Sequence, residues 1–219
     1  MLCAAIAGLA ATVAPVQAAG GHHTVDDAAL LEPGQCQLEV WFEREAGNAR
    51  SLLHAGPACR AGPVQLGLAL DRERSDASPA TSSFSAQLKW ARPLDERWSV
   101  GAVLALAGQD RSPRYVGSTI VIPVTWKATD TLLAHLNVGR DFRHRQRDLN
   151  RAGLALEWAP LETGSLVAER YWEGGAHFRR VGARWALTPS TNIDLSQARG
   201  LHGSAPAWWT LGLSWTFER

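Results

Sequence analysis

Apolar side chains alternate with polar or small ones along most of the chain, from Gln35 to the C-terminus, in runs of about ten residues. The last run shows the alternation most clearly. One face is apolar and the other is polar or small: Trp209, Leu211, Leu213, Trp215 and Phe217 against Thr210, Gly212, Ser214 and Thr216. A period of two is typical of a β-strand whose faces meet different surroundings, and a helix cannot produce it. The pattern predicts an all-β fold.

Twelve such runs are separated by turn-forming residues. They cover residues 35–44, 51–60, 63–72, 81–91, 97–108, 114–126, 131–142, 150–159, 164–173, 178–187, 191–199 and 207–217. The connections alternate between short turns, such as 128–130, and longer, more charged loops, such as 71–81 and 139–151. This alternation is typical of outer-membrane barrels. We expect a transmembrane antiparallel up-and-down β-barrel of about 12 strands, with ten or fourteen strands as alternatives.

Tryptophans recur about once per hairpin, at the ends of the strands that return toward the expected periplasmic side. The spacings are 36, 32, 27 and 30 residues, between Trp90, Trp126, Trp158, Trp185 and Trp215. Tryptophan favours membrane–water interfaces, and barrels carry aromatic girdles there. The five residues therefore predict one girdle at the periplasmic rim, whereas a soluble β-sandwich would not sort its tryptophans into levels.

The composition and the N-terminal segment place the chain in an envelope compartment. A net charge of +1 and a hydrophobic content of 46% give no bias toward disorder or nucleic-acid binding. Residues 1–18 form an Ala-rich apolar run that ends in Val16-Gln17-Ala18, as a signal peptide does before its cleavage site. We expect a signal peptide at 1–18, a periplasmic N-terminal segment at 19–34 and an outer-membrane barrel at 35–219.

Export leaves an even pair of cysteines, because Cys3 would be removed with the signal peptide. Cys36 and Cys59 are placed symmetrically about the turn candidate at 46–49. They should therefore face each other across the first hairpin, as a disulfide requires. An even pair in an exported chain favours a bridge. Two free buried thiols are the alternative.

The C-terminal strand carries a recognisable pattern. Residues 210–217, Thr-Leu-Gly-Leu-Ser-Trp-Thr-Phe, resemble the β-signal of bacterial outer-membrane proteins, with Gly212, Trp215 and Phe217 at the characteristic positions. The resemblance implies recognition by the barrel-assembly machinery. More loosely, residues 181–185 and 193–196 resemble the last strands of proteobacterial transporter-like barrels of the phenol meta-pathway type.

The alternation also assigns charged side chains of both signs to the inside of the barrel. They are Glu39, Lys89, His135, Glu157, Glu169, Arg180, Arg184 and Asp194. Buried charges are tolerated when they are paired and hydrogen-bonded, so one interpretation is a network that braces the barrel. The other is a constriction that selects permeating solutes.

Two further clusters suggest chemistry. His22, His23, Asp26 and Asp27 concentrate possible ligands for Cu, Ni or Zn, although a plain polar leader is the simpler interpretation. His202-Gly203-Ser204 resembles the His-x-Ser motif of small outer-membrane lipid hydrolases. Here the motif lies in a loop without an evident orienting residue, which a catalytic nucleophile and base would need. We expect no catalytic residues and no cofactor.

The expected partners follow from the predicted location. They are outer-membrane lipid, lipopolysaccharide, the barrel-assembly machinery and an unidentified small solute. The basic loop 140–148 would contact the phosphates of lipopolysaccharide. We expect no nucleic-acid partner. The leading function is a passive channel or binding barrel for small solutes. The alternatives are a lipid-active enzyme, a metal-handling protein at the periplasmic side, and a structural barrel without transport.

Overall fold

A computed structural model describes residues 22–47, 49–202 and 206–219. The expected signal peptide at 1–18 and the pair Gly203-Ser204 lie outside the described residues. No helix long and apolar enough to cross a membrane occurs in the described part of the chain.

Twelve antiparallel strands form one closed barrel, which confirms the predicted fold class. Each strand pairs with its sequence neighbours, and β1 pairs with β12 to close the sheet. The bounds are β1 Gln35–Glu45, β2 Arg50–Ala61, β3 Val64–Ser75, β4 Ser78–Pro93, β5 Trp98–Gln109, β6 Tyr115–Lys127, β7 Leu132–Arg143, β8 Leu149–Leu161, β9 Gly164–Glu173, β10 Ala176–Thr188, β11 Thr191–Gly200 and β12 Ala207–Glu218.

The two ends of the barrel differ less than the sequence suggests. We call the end with the connections 62–63, 94–97, 128–131, 162–163 and 189–190 the turn end, and the opposite end the loop end. The predicted loop at 71–81 is mostly strand, because β3 continues to Ser75 and β4 begins at Ser78. Its charged residues keep their cross-strand partners, as Arg72 pairs with Ser82 and donates to its hydroxyl at 2.6 Å. Polar composition was therefore a poor guide to where these strands end.

The alternation of side chains sets the two faces of the wall. Large apolar side chains point outward and are exposed, for example Leu68 at 61% and Leu70 at 64%. Charged and polar side chains such as Glu157 and Asp194 point inward and are buried. An outward apolar surface and a polar interior are the arrangement of a barrel that crosses a bilayer.

Four of the five girdle tryptophans are exposed near the turn end: Trp126, Trp158, Trp185 and Trp215. The fifth, Trp90, is half-buried and pairs with Val64 at the same end. Trp98 stacks on Trp126 with ring centroids 5.8 Å apart. These rings lie at one level of the outer face, where a girdle would meet the membrane interface.

The predicted disulfide is confirmed. Cys36 and Cys59 are direct cross-strand partners in β1 and β2, with Cα atoms 4.0 Å apart. The bond covalently links the strand that closes the barrel to its sequence neighbour.

Replacing both cysteines by alanine should lower the free energy of unfolding by about 3 kcal/mol, the chain-entropy value for a loop of this size. Urea unfolding of the barrel refolded in lipid vesicles measures the change. The native protein should lose the same stability when reductant is added, and the double variant should be insensitive to reductant. Equal stability of native and variant proteins would contradict a stabilising bridge.

Candidate functional site

The inward-facing charges predicted from the sequence do line the lumen. Seven of them are nine-tenths or more buried: Lys89, His135, Glu157, Glu169, Arg180, Arg184 and Asp194. The eighth, Glu39, is half-buried and borders a lumen cavity. The structure thus brings residues of seven strands, β1, β4, β7, β8, β9, β10 and β11, to one enclosed surface.

Much of this lumen is an ion-pair network. Arg184 Nε donates to Asp194 Oδ1 at 2.7 Å across β10 and β11. The Ser165 hydroxyl donates to Glu157 Oε1 at 2.8 Å. Arg180 lies 3.9 Å from Glu169 and 3.7 Å from Glu43. Pairing of this kind is what allows charges to remain inside a barrel, and it fits the bracing interpretation.

Residues 22–32, which we call the lumen segment, lie inside the barrel. The sequence suggested a periplasmic leader at 19–34, but the lumen segment runs from the β2–β3 wall at Leu31 to the β9–β10 wall at His22. Arg60 donates to the Leu31 carbonyl at 2.8 Å, and Arg180 donates to the His22 carbonyl. The segment has an irregular backbone, and the polar lumen wall supplies the hydrogen-bond partners that it needs.

Side chains of the barrel wall accept hydrogen bonds from successive backbone amides of the lumen segment. Glu169 Oε1 accepts from the Val25 N–H at 2.9 Å. Thr125 Oγ1 accepts from the Ala28 N–H at 2.8 Å, and Gln65 Oε1 accepts from the Leu31 N–H at 3.1 Å. Three separate parts of the wall therefore hold one segment.

Two buried contacts fix the middle of the segment. Val25 is 1% exposed and packs against Ala155 and Tyr171. A Cβ added to Gly153 would lie 2.5 Å from Val25 Cγ2, so the absence of a side chain there makes room for Val25. Lys89 Nζ donates to Asp27 Oδ1 at 2.6 Å, which pairs two charges out of water.

The candidate metal ligands are engaged in these contacts. Asp27 pairs with Lys89, and burial raises the pKa of the neighbouring Asp26 carboxyl. His22 stacks on His23 with ring centroids 4.5 Å apart, and burial lowers the pKa of His22, which favours the neutral imidazole. His23 Nδ1 lies 3.5 Å from Glu169 Oε2. No group of three or more potential ligands suited to a metal ion occurs within the described residues.

The lumen segment separates two cavities. A vestibule of about 720 Å³ lies on the loop-end side, and its lining includes His22, Asp26, Arg50, Arg151 and Trp208. A lumen cavity of about 430 Å³ lies between the other side of the segment and the β1–β4 wall, with Ala28, Leu31, Gln65, Gln87 and Lys89 in its lining.

The lumen wall also contains an aromatic and acidic cluster that the sequence did not predict. His54 Nδ1 lies 2.6 Å from Asp71 Oδ1, and its ring stacks on Trp41 with centroids 3.3 Å apart. The strand alternation alone places Trp41 and His54 inward. Their pairing depends on the β1–β2 register, which the Cys36–Cys59 pair could have supplied.

The remaining candidates lie apart from the lumen. Arg140 of the basic loop pairs with Asp148 at 3.2 Å, so part of its charge is neutralised within the loop. His202 packs edge-on against His177 with centroids 5.5 Å apart. The rings of Trp215 and Phe217 are 4.7 Å apart. Recognition of this strand by the assembly machinery stays a prediction.

Gly212, the third β-signal position, has a role inside the barrel. A Cβ there would approach His22 Nδ1 to 3.1 Å. The glycine thus helps to make room for the lumen segment.

Comparisons with known proteins agree with this architecture. A family model described as "Uncharacterised conserved protein UCP029691" matches residues 5–217. No curated protein matches the chain. A KdgM porin structure aligns with a TM-score of 0.68 at 11% identity, covering 83% of this chain and 99% of that one. A KdgM porin in complex with disordered oligogalacturonate aligns at 0.66 and 10%, covering 83% and 99%.

Two other barrels align over similar lengths. The NanC porin gives a TM-score of 0.67 at 10% identity and covers 81% of this chain and 98% of its own. The toluene transporter TbuX of Ralstonia pickettii gives 0.55 at 6% identity and covers 84% and 89%. At these identities the likeness shows a shared barrel fold, and the phenol meta-pathway resemblance stays a prediction.

Replacing Gly153 by alanine should loosen the lumen segment, because the new methyl group overlaps Val25. Overpacking typically costs about 1–3 kcal/mol, so amide exchange at Val25 should become about 5-fold to 150-fold faster. Hydrogen exchange of the refolded protein followed by mass spectrometry measures it. Gly164→Ala is the matched control, since its added Cβ would meet only the Arg184 carbonyl at 3.7 Å. Equal exchange in both variants would show that Val25 is not seated against Gly153.

Proposed function

The chain belongs to the family described as Uncharacterised conserved protein UCP029691, and we propose that it is an outer-membrane barrel through which small solutes pass passively. The location is inferred from the apolar outer face, with its level of tryptophans at the turn end, and from the polar interior. The KdgM, NanC and TbuX structures support the same kind of protein through their shared fold.

The observation that carries the proposal is the division of a polar lumen by the lumen segment. The vestibule of about 720 Å³ and the lumen cavity of about 430 Å³ are each large enough for a small molecule. A barrel with only a structural role could fill its interior with packed side chains, as narrow barrels do. Here residues 22–32 stand between two spaces, so the segment controls the axial path.

The charges along this path are mixed, which favours polar solutes without strong selection for one sign. In the vestibule, Arg50 lies 3.4 Å from Glu43 and 2.8 Å from Glu73. Arg151 lies 3.3 Å from Asp141. Because each of these guanidinium groups already has a carboxylate partner, a passing solute would meet hydrogen-bonding groups rather than a ring of one charge.

Replacing Lys89 by methionine should open the axial path. The change leaves the Asp27 carboxylate buried without its cation, and breaking a buried pair in this way costs roughly 3–5 kcal/mol. The lumen segment should leave its seat, so planar-bilayer recordings should show larger and more frequent conductance steps than those of the native barrel. The matched control is Arg140→Met, because Arg140 borders neither cavity and pairs with Asp148 at 3.2 Å on the exposed surface, where pairs contribute little.

Heat-modifiable migration on denaturing gels would show that both variants still form barrels. If folded Lys89→Met barrels conduct no better than native ones, the lumen segment does not control the path. If neither conducts and no solute enters proteoliposomes, the passive-channel proposal fails.

A further inference from the structure

The wall between β2 and β3 has a break in its hydrogen-bonded ladder. Pairing runs to Ala55 and Leu70 and resumes at Ala58 and Gly67 in the same register, and the two pairs between them are not formed. Pro57 lies in this gap. Proline has no N–H to donate to a neighbouring strand, and in a sheet it is normally confined to edges and bulges.

The same place has little bulk on the lumen side. Gly56 of β2 and Gly67 of β3 occupy inward positions. The His54 ring covers Gly56, where an added Cβ would meet its Nε2 at 2.7 Å, whereas the ring does not reach Gly67. A Cβ added to Gly67 would meet Ala58 Cβ at 3.6 Å and atoms of Gln87 at 3.8 Å, which are ordinary contacts. Gly67 is thus not required by crowding, and its absence of a side chain leaves free space.

Two cavities meet at this break from opposite faces of the wall. On the outer face, Leu70, Phe84, Leu106 and other residues line an almost wholly apolar groove of about 580 Å³. On the inner face lies the lumen cavity of about 430 Å³. Both are bordered by the same three residues, Pro57, Leu68 and Ala69. A single layer of backbone, without its full set of hydrogen bonds, separates the groove from the lumen.

A second proline shows that a ladder break alone does not thin the wall. Pairing between β5 and β6 stops at Val100–Val124 and resumes at Val103–Val121, and Pro123 lies between. Pro123 is fully buried, and its Cγ lies 3.1 Å from where a Cβ of Gly101 would be. The proline ring fills that gap, whereas Pro57 points outward and is exposed.

We propose that residues 56–58 and 67–69 form a lateral window through which a single-chain amphiphile passes between the bilayer and the lumen cavity. The outer groove offers an acyl chain a surface of leucine and phenylalanine side chains, which cannot hydrogen-bond. The inner side offers a polar end group the amide of Gln87 and the imidazole of His54. The chemistry of the two sides therefore changes from apolar to polar across one layer of the wall.

The window provides a route that does not cross the lumen segment. The lumen cavity extends from Gly56 and Gly67 along Ala28–Leu31 to Glu96, Arg97 and Lys127 at the turn end. An amphiphile that enters from the membrane would leave at that end without displacing Val25 or Asp27. The inference rests on the proposed membrane location, but it does not require axial conductance.

Photolabelling tests the window directly. The protein is reconstituted in phosphatidylcholine nanodiscs with a palmitic acid that carries a diazirine on its chain, irradiated, and mapped by mass spectrometry. In the native protein we expect label on Gln37 and Gln65, which line the lumen cavity and not the vestibule, as well as on the outer residues Leu70 and Leu104. The variant Pro57→Val/Gly67→Leu should restore the ladder and fill the inner side, so its lumen label should fall by about tenfold, equivalent to about 1.4 kcal/mol, while its outer label stays the same.

Ala105→Leu places the same side chain at an inward position that borders neither cavity, and it should keep the native labelling. If the double variant does not fold, Gly67→Leu alone serves as the sealed form. An absence of lumen label in the native protein, or equal lumen label in sealed and native proteins, would overturn the window. Both results are independent of conductance. A barrel that conducts but is not labelled in its lumen refutes only the window. A barrel that is labelled in its lumen but does not conduct refutes only the axial channel.

Discussion

Backbone groups inside a lipid bilayer have no water to bond to, so a chain that crosses it with strands must close its sheet. Here closure depends on the antiparallel pairing of β1 with β12, which runs from Gln35–Glu218 to Glu45–Trp208 without a break. The position of everything else follows from this ring. It fixes which side chains face lipid and which face the lumen, and it gives the inward charges enough neighbours to be paired.

Where the ring departs from full pairing, the exceptions differ in character. Pro123 is buried and its ring fills its gap, whereas the Pro57 ring points outward and leaves the inner face of its gap to the lumen cavity. A barrel tolerates a missing hydrogen bond when packing compensates for it. At Pro57 the proline ring points away from the gap, the His54 ring covers Gly56 but not Gly67, and an apolar groove lies directly outside. The contrast between two otherwise similar interruptions is what distinguishes a candidate window from a simple irregularity.

The sequence predicts the barrel well because the barrel is encoded locally. Strand alternation, turn residues and the placement of Cys36 and Cys59 can each be read within a few tens of residues. The lumen segment is different. The Val25 N–H donates a hydrogen bond to Glu169, which is 144 positions away. Residues 22–32 show no periodic pattern from which such a partner could be predicted. A His- and Asp-rich stretch before the first strand is equally typical of a free leader, so only the folded wall shows that Lys89, Thr125 and Gln65 are placed to receive it. The same holds for the window. Pro57 and Gly67 are not unusual by themselves, and only the register of β2 and β3 shows that they lie at the same interruption of the wall.

The central claim is that the lumen segment lies inside the barrel and divides its interior. The most direct measurement is the nuclear Overhauser effect between the Val25 methyl groups and the Tyr171 ring in the refolded protein in nanodiscs, with both residues isotopically labelled. Val25 and Tyr171 belong to one buried cluster, so the account predicts strong cross-peaks and methyl shifts displaced by the ring. Absent cross-peaks, together with methyl shifts typical of an unstructured chain, would contradict it.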